Sequence, residues 1–453
     1  MLCAVKKAWW LFVGLSLTLQ LCVASAPNSP RLYEAWQGPP EILGQIAALR
    51  CARSMRGVCR AWQDAATSHV LFVSTLYHAD VNGEALAASS LSRALKEAML
   101  VGPRGLSLGK SMTNLWRVTL KLERTFWPLC DILPGFAQLR HLAFVGVGFD
   151  SNIQWALASL KHLNSIELQV QDDLILTRAM HNLTNLHALK IILGEDAQDA
   201  SCSGLRFLTM TSLHDFKLDG LTLAGADLSG FLQNATHLQD LSLRWFALSD
   251  ANPWIESLSH LQKLRALSLV YAFDDGFEPE RSPSLDKVHL PTSLTQLELS
   301  HAGWATAPLH LTRSLCQLKS LTVELMDLDP QALLCIPHNV TALTFEGCHL
   351  GVDHFLHLGN LTQLKTLVLK PGEEASFSMA LVAHGLSFLH SLREIHLFDT
   401  QLTADDIGAL TSLPRLETLV VSSSKHIQEK DALPQWLQGR RRLVYQDAEA
   451  DKF

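Results

Sequence analysis

The stretch "LASLKHLNSIELQV" from Leu157 sets apolar residues three apart and then closes on an apolar–polar–apolar triplet. The same order returns in "LSHLQKLRALSLV" from Leu258, "LGNLTQLKTLVLK" from Leu358, "LSFLHSLREIHLF" from Leu386 and "LTSLPRLETLVVS" from Leu410. The residue that opens the closing triplet aligns at Val118, Leu142, Ile166, Leu189, Phe216, Leu241, Leu267, Leu297, Leu321, Leu343, Leu367, Ile395 and Leu419. These positions recur about every 25 residues, a period that marks a stack of small repeated units. The triplet alternates with period two, so it predicts a short strand with both apolar residues on one side. The preceding three-residue spacing predicts a helical or 3₁₀ return on the far side.

One such unit cannot bury its own leucines, but a stack of units shares a continuous apolar core. The expected fold is therefore α/β: a solenoid whose curved parallel sheet is lined by outer helices over residues 114–445. About 13 units make up this part, and a tail of residues 446–453 follows. Two stretches interrupt the rhythm, Tyr271 to Pro291 and the residues after Leu369, and both leave just after a strand. They are expected to project from one rim as loops able to contact a partner.

Residues 27–113 lack the repeat and read as a helical region that caps the stack's apolar end. Within it, Val58, Cys59 and Trp62 fall on one helical face, with Arg53, Arg56 and Arg60 largely opposite. Upstream, Lys6 and Lys7 precede an uncharged run from Ala8 to Ala26 that ends Ala24-Ser25-Ala26. A basic start, an apolar middle and small residues at the end form an export-signal pattern over residues 1–26, or an anchor if uncleaved.

The repeated L-x-x-L-x-x-L-x-x-L-x-L resembles the leucine-rich repeat family. "LFDTQLTADDIGALTSLPRLETLVV" is closest to the subtype found in intracellular receptors of ubiquitin ligases. Pro40-Glu41-Ile42-Leu43 and Val58-Cys59-Arg60-Ala61-Trp62 resemble the two ends of an F-box, placing an F-box-like segment at residues 39–70. It is shorter than the family pattern by about one helical turn. The resemblance implies that Pro40, Glu41, Ile42, Leu43, Val58, Cys59 and Trp62 dock on the adaptor of a cullin-type ubiquitin ligase.

Hydrophobic residues make up 48% of the chain and charged residues 18%, a composition that buries a large core. The formal net charge of −7 offers no basic field for nucleic acid. The nine cysteines include no C-x-x-C pair, which points to small apolar core residues in a reducing compartment. Sequons at Asn182, Asn234, Asn339 and Asn360 point the other way, toward glycosylation in the secretory pathway. "GLSLGKS" from Gly105 has three residues between its glycines and is no phosphate loop; no cofactor or catalytic constellation is expected. His349, Asp353, His354 and His357 cluster on an outer segment, where polar residues are expected without a metal.

Successive strand side chains alternate, so the residues flanking the inward apolar pair line the concave sheet face. That face would carry Glu167, Asp215, Asp219, Asp240, Glu298, Glu324 and Glu346. Asp219, Glu324 and Glu346 share the column after the second apolar position, and Asp215 and Asp240 the column before the first. Lys217 and Arg244 interrupt this acidic bias. Two readings follow, both non-enzymatic. The first is an F-box-like substrate receptor that holds its target on the repeats. The alternative is a secreted or membrane-anchored receptor for a protein or peptide ligand.

Overall fold

The computed structural model describes residues 74–75, 97–101, 115–122, 131, 133–146, 150–194, 200–248, 254–271, 289–300, 309–326, 328–370, 385–398, 410, 413, 415–422 and 442–446. The export-like segment, the F-box-like segment and most of both insertions lie outside them. The chain divides into two compact units, Met1–Leu189 with Leu193–Gln198, and Lys190–Ile192 with Asp199–Phe453.

In the first unit, β1 (Ser74–Thr75), β2 (Glu97–Val101), β3 (Arg117–Leu122), β4 (His141–Gly146) and β5 (Ser165–Val170) pair in parallel in chain order. Val118, Leu142 and Ile166 stand in one row, each buried, with Leu120, Phe144 and Leu168 in the next. Parallel neighbours need a crossover, and the leading apolar spacing supplies it. After β4 the crossover is α1 (Ser151–Leu157), where Asp150 Oδ1 accepts the Ile153 N–H at 2.9 Å as a helix cap. Gln154 of α1 is fully buried: its amide donates to Ile175 O, and its oxygen accepts from the Thr177 N–H and hydroxyl. Those bonds offset the cost of burying an amide. The short β6 (Leu174–Ile175) follows, and β7 (Ala188–Leu193) carries the division between the units.

The second unit opens with β8 (Ser201–Ser203), β9 (Asp215–Asp219), β10 (Thr222–Leu223) and α2 (Gly225–Asn234). Its main ladder runs β9, β11 (Asp240–Leu248), β12 (Ala266–Tyr271), β13 (Gln296–Ser300), β14 (Ser320–Glu324), β15 (Ala342–Glu346) and β16 (Thr366–Lys370). It ends with β17 (Glu394–Leu397), β18 (Thr418–Ser422) and β19 (Arg442–Gln446), all parallel. Phe216, Leu241, Leu267, Leu297, Leu321, Leu343, Leu367, Ile395 and Leu419 form one buried row across it. The fold is thus the leucine-rich repeat stack expected from the triplets. The first unit's ladder also takes in β2 and the second unit's takes in β19, neither marked by one of the aligned triplets.

The far layer is built from short 3₁₀ turns, such as Trp254–His260, Leu309–Ser314 and Pro330–Cys335, with α2 and α3 (Val352–Leu358) among them. His354, read as one of the polar residues of an outer segment, does not face solvent. It is buried: Nδ1 accepts from the Gly351 N–H at 2.8 Å, and Nε2 lies 2.8 Å from the Leu328 carbonyl. Both ring nitrogens are spent on the backbone, so the side chain caps α3. Among the described residues no helix is long and apolar enough to cross a membrane, and no cluster of three metal-ligating side chains occurs.

The ladder strands end in a common way. Gly220, Trp245, Leu325 and Gly347 each follow the third open-face residue of their strand, with φ of 81°, 49°, 51° and 64°. Left-handed backbone there interrupts the alternation, so Leu221, Phe246, Met326 and Cys348 turn into the core. Three of the four keep one more ladder bond: Gly220 N–H to Arg244 O at 3.0 Å, Leu325 N–H to Glu346 O at 2.6 Å, and Gly347 N–H to Lys370 O at 2.6 Å. Glycine suits such a residue because it has no Cβ to clash with the backbone.

Candidate functional site

The strand register sorts the open face of the second unit into three columns. The first contains Asp215, Asp240, Ala266, Gln296, Ser320, Ala342, Thr366 and Glu394. The middle contains Lys217, Ser242, Ser268, Glu298, Thr322, Thr344, Val368 and His396. The third contains Asp219, Arg244, Val270, Ser300, Glu324, Glu346 and Lys370. Six of the seven acidic residues expected on the face therefore stand on one ladder. Glu167 belongs to the first unit, in the middle column of β5 beside Ala143.

Cations are woven through this acidic face. Arg244 Nη2 lies 3.3 Å from Glu298 Oε1, and Lys370 Nζ lies 3.0 Å from Glu346 Oε2. Lys217 Nζ approaches Asp215 Oδ2 at 3.9 Å, a looser pair. Lys370 also stands over the Phe398 ring, 5.3 Å from its centroid. The arginine reaches from β11 to β13 over β12, because Ser268 and Val270 leave its path low. A recess of about 500 Å³ lies over the same region, lined by Lys190, Lys217, Asp219, Asp240, Arg244 and Glu298 around Ser242 and Ser268. Its charges balance, three of each sign. The buried Arg244 Nε, Ser268 Oγ and Asp215 Oδ1 have no hydrogen-bond partner.

Beyond this recess the balance fails. Glu324 lies between Glu298 and Glu346, which hold Arg244 and Lys370. Among the described residues no Lys or Arg forms an ion pair with Glu324; it has a hydrogen bond with Ser300. Its carboxyl is pushed above the usual range, first by burial, then by repulsion from Glu346 and Glu298; Ser300 and Arg244 pull it partly back. Asp215 is also raised, chiefly by burial, with Lys217 opposing and Asp240 adding repulsion. Asp219 is raised by burial against the pull of Arg244 and Lys190. The crowded group of Glu298, Glu324 and Glu346, drawn from two neighbouring columns, is one cation short.

Sequence reasoning missed Lys190, Ser300, Trp245 and Leu325. Lys190 and Ser300 were legible as column positions once the triplets were aligned. Trp245 and Leu325 fall outside the triplet and carry no signal in the alternation.

Cys202, Cys316, Cys335 and Cys348 are free thiols. Burial, with Asp227 nearby, pushes the Cys202 thiol up to about 12, which holds it protonated and inert. Cys348 donates from Sγ to Val323 O at 3.4 Å inside the core. Of the four sequon asparagines, Asn339 donates its amide to Cys316 O and Leu318 O of the preceding unit. Asn182, Asn234 and Asn360 are exposed.

No protein-family model matches the chain, and no curated protein matches it in sequence. Solved structures of similar fold include an internalin of Listeria monocytogenes, with 16% identity over 86% of this chain and 94% of that one, at a TM-score of 0.42. A second comes from the Toll–Spatzle complex of Drosophila, with 17% identity over 72% of this chain and 46% of that one, at a TM-score of 0.44. A third is a leucine-rich repeat protein of Leptospira interrogans, with 16% identity over 72% of this chain and 90% of that one, at a TM-score of 0.38.

Proposed function

We propose that the chain is a non-catalytic scaffold whose open sheet face in the second unit binds a protein segment presenting lysine or arginine. The observation that carries this reading is Glu324, a half-buried carboxylate between two others whose cations are already engaged. A partner's cation there would relieve repulsion as well as gain attraction, so it would be favoured over an uncharged side chain. Charge of this kind sets association rate and orientation and weakens with salt.

The test is the triple change Glu298→Lys, Glu324→Lys and Glu346→Lys. Proteins captured and cross-linked to the open face of the wild type are expected to be lost from this variant. They are expected to persist when exposed far-layer residues such as Arg313 and Gln331 are changed instead. Equal capture by the wild type and the face variant would remove the open face from consideration.

The ligase-receptor form of this reading rests on the Pro40–Trp62 resemblance. It predicts that the adaptor co-purifies with the chain and is lost on changing Pro40 and Trp62 to Ala. The secreted or anchored form rests on Lys6–Ala26 and the sequons. A native chain that begins near Pro27 and carries glycans would decide for it, because the ligase works in the cytosol and nucleus.

A further inference from the structure

Trp245 and Leu325 occupy a left-handed backbone position that costs a residue with a Cβ roughly 1–2 kcal/mol. In the equivalent place two other strands use Gly220 and Gly347, so the geometry itself does not require a side chain. Nor does solvation explain the large ones, since Trp245 is 45% exposed and Leu325 47% exposed. Backbone energy and hydrophobic energy both oppose these two residues at these two places. Strain of this sort, held where a glycine would remove it, points to a role outside stability. A Cβ added at Gly347 would collide with Leu325 Cδ2, so the missing side chain there makes room for Leu325.

The two residues flank the strip of face that holds Glu298. Trp245 follows Arg244 on β11, and Leu325 follows Glu324 on β14. Three strand spacings separate them, about 14 Å. Between them the third column drops to Val270 and Ser300, both buried, while Glu298 and Glu324 stand alongside. An extended segment crossing the strands covers about 14 Å in four residues, and its residues i, i+2 and i+4 face the same way.

We propose that Trp245 and Leu325 are the two apolar anchors for the protein segment bound by this face. The segment is an extended stretch carrying apolar side chains four residues apart and a lysine or arginine midway between them. This deepens the reading proposed above and rests on it. The apolar side chains cover Trp245 and Leu325, and the central cation meets Glu324 and Glu298. Tryptophan is among the residues enriched as energetic anchors of protein interfaces.

The test uses two fluorescein-labelled nonapeptides of equal charge with the full chain. One reads Lys-Ser-Leu-Ser-Lys-Ser-Leu-Ser-Lys; the other has serine in place of both leucines. Anisotropy titration is expected to show the leucine peptide binding at least tenfold more tightly. That advantage is expected to vanish in the double variant Trp245→Gly, Leu325→Gly, whose thermal unfolding midpoint stays at or above the wild-type value. Equal binding of both peptides to the wild type overturns the anchors while leaving the acidic face standing. Binding of neither peptide overturns the acidic face itself, and the anchors with it. A double variant with a clearly lowered midpoint shows the two residues to be structural, and also overturns the proposal.

Discussion

Leu367→Ala is expected to lower the unfolding free energy by about 2–5 kcal/mol, the range found for deleting a leucine from a close-packed core. Leu367 is fully buried, and its row places it between Leu343 and Ile395. The cavity would open beneath the sheet, where leucines of adjacent units fill the space and only partly relax. Its neighbour Val368 faces the open side of the same strand and is only partly buried. Val368→Ala is expected to cost far less, since surface changes away from special features fall within about 0.5 kcal/mol. Chemical denaturation of the two variants measures the contrast. Because each repeat touches only its neighbours, the loss at Leu367 should show most strongly in hydrogen exchange of β15, β16 and β17. Equal midpoints for Leu367→Ala and the wild type would mean that the strand presents its other face to the core.

The row of buried triplet residues was readable in the sequence because strand alternation has a period of two with no slack: shifting β16 by one position would turn both Leu367 and Leu369 to the open face. The columns of the open face follow from the same alignment. That is why Asp215 and Asp240, or Glu324 and Glu346, come out side by side. The pairing within the columns was not readable. Arg244 takes Glu298 two strands away because Ser268 and Val270 between them are low, and that depends on side-chain height across three repeats. The burial of His354 was not readable for a similar reason. Its outer segment looks polar, yet the ring turns inward to bond Gly351 and Leu328, a third-dimension arrangement that no linear spacing encodes. The strand-end kinks were half visible. Gly220 and Gly347 signal a left-handed residue, whereas Trp245 and Leu325 hold the same geometry with side chains that argue against it. β2 and β19 join the ladders of the first and second unit without one of the aligned triplets to mark them.

Glu324→Gln is expected to raise stability and weaken binding together, and pH separates the two effects. In the folded chain the Glu324 carboxyl lies above its ordinary value, through burial and the nearby Glu346 and Glu298 charges. The folded state therefore holds this proton more tightly than the unfolded chain does. Its contribution to stability is complete below the unfolded value and is lost as pH rises through the raised folded value. Glutamine keeps the shape and the Ser300 contact without the charge. The variant should then unfold at a higher temperature than the wild type near neutral pH, and the difference should shrink as pH falls below the ordinary carboxylate range. Binding moves the opposite way. The leucine nonapeptide should bind the variant about tenfold more weakly at neutral pH, the modest loss expected when a half-exposed charge pair is cut. Wild-type affinity should also fall as acid protonates Glu324, while the variant's profile lacks that step. Glu346 keeps Lys370 and Glu298 keeps Arg244 in both proteins, so the missing step isolates the one of these three carboxylates without a cation of its own. If wild type and variant bind the peptide alike with the same pH profile, Glu324 does not meet the partner's cation.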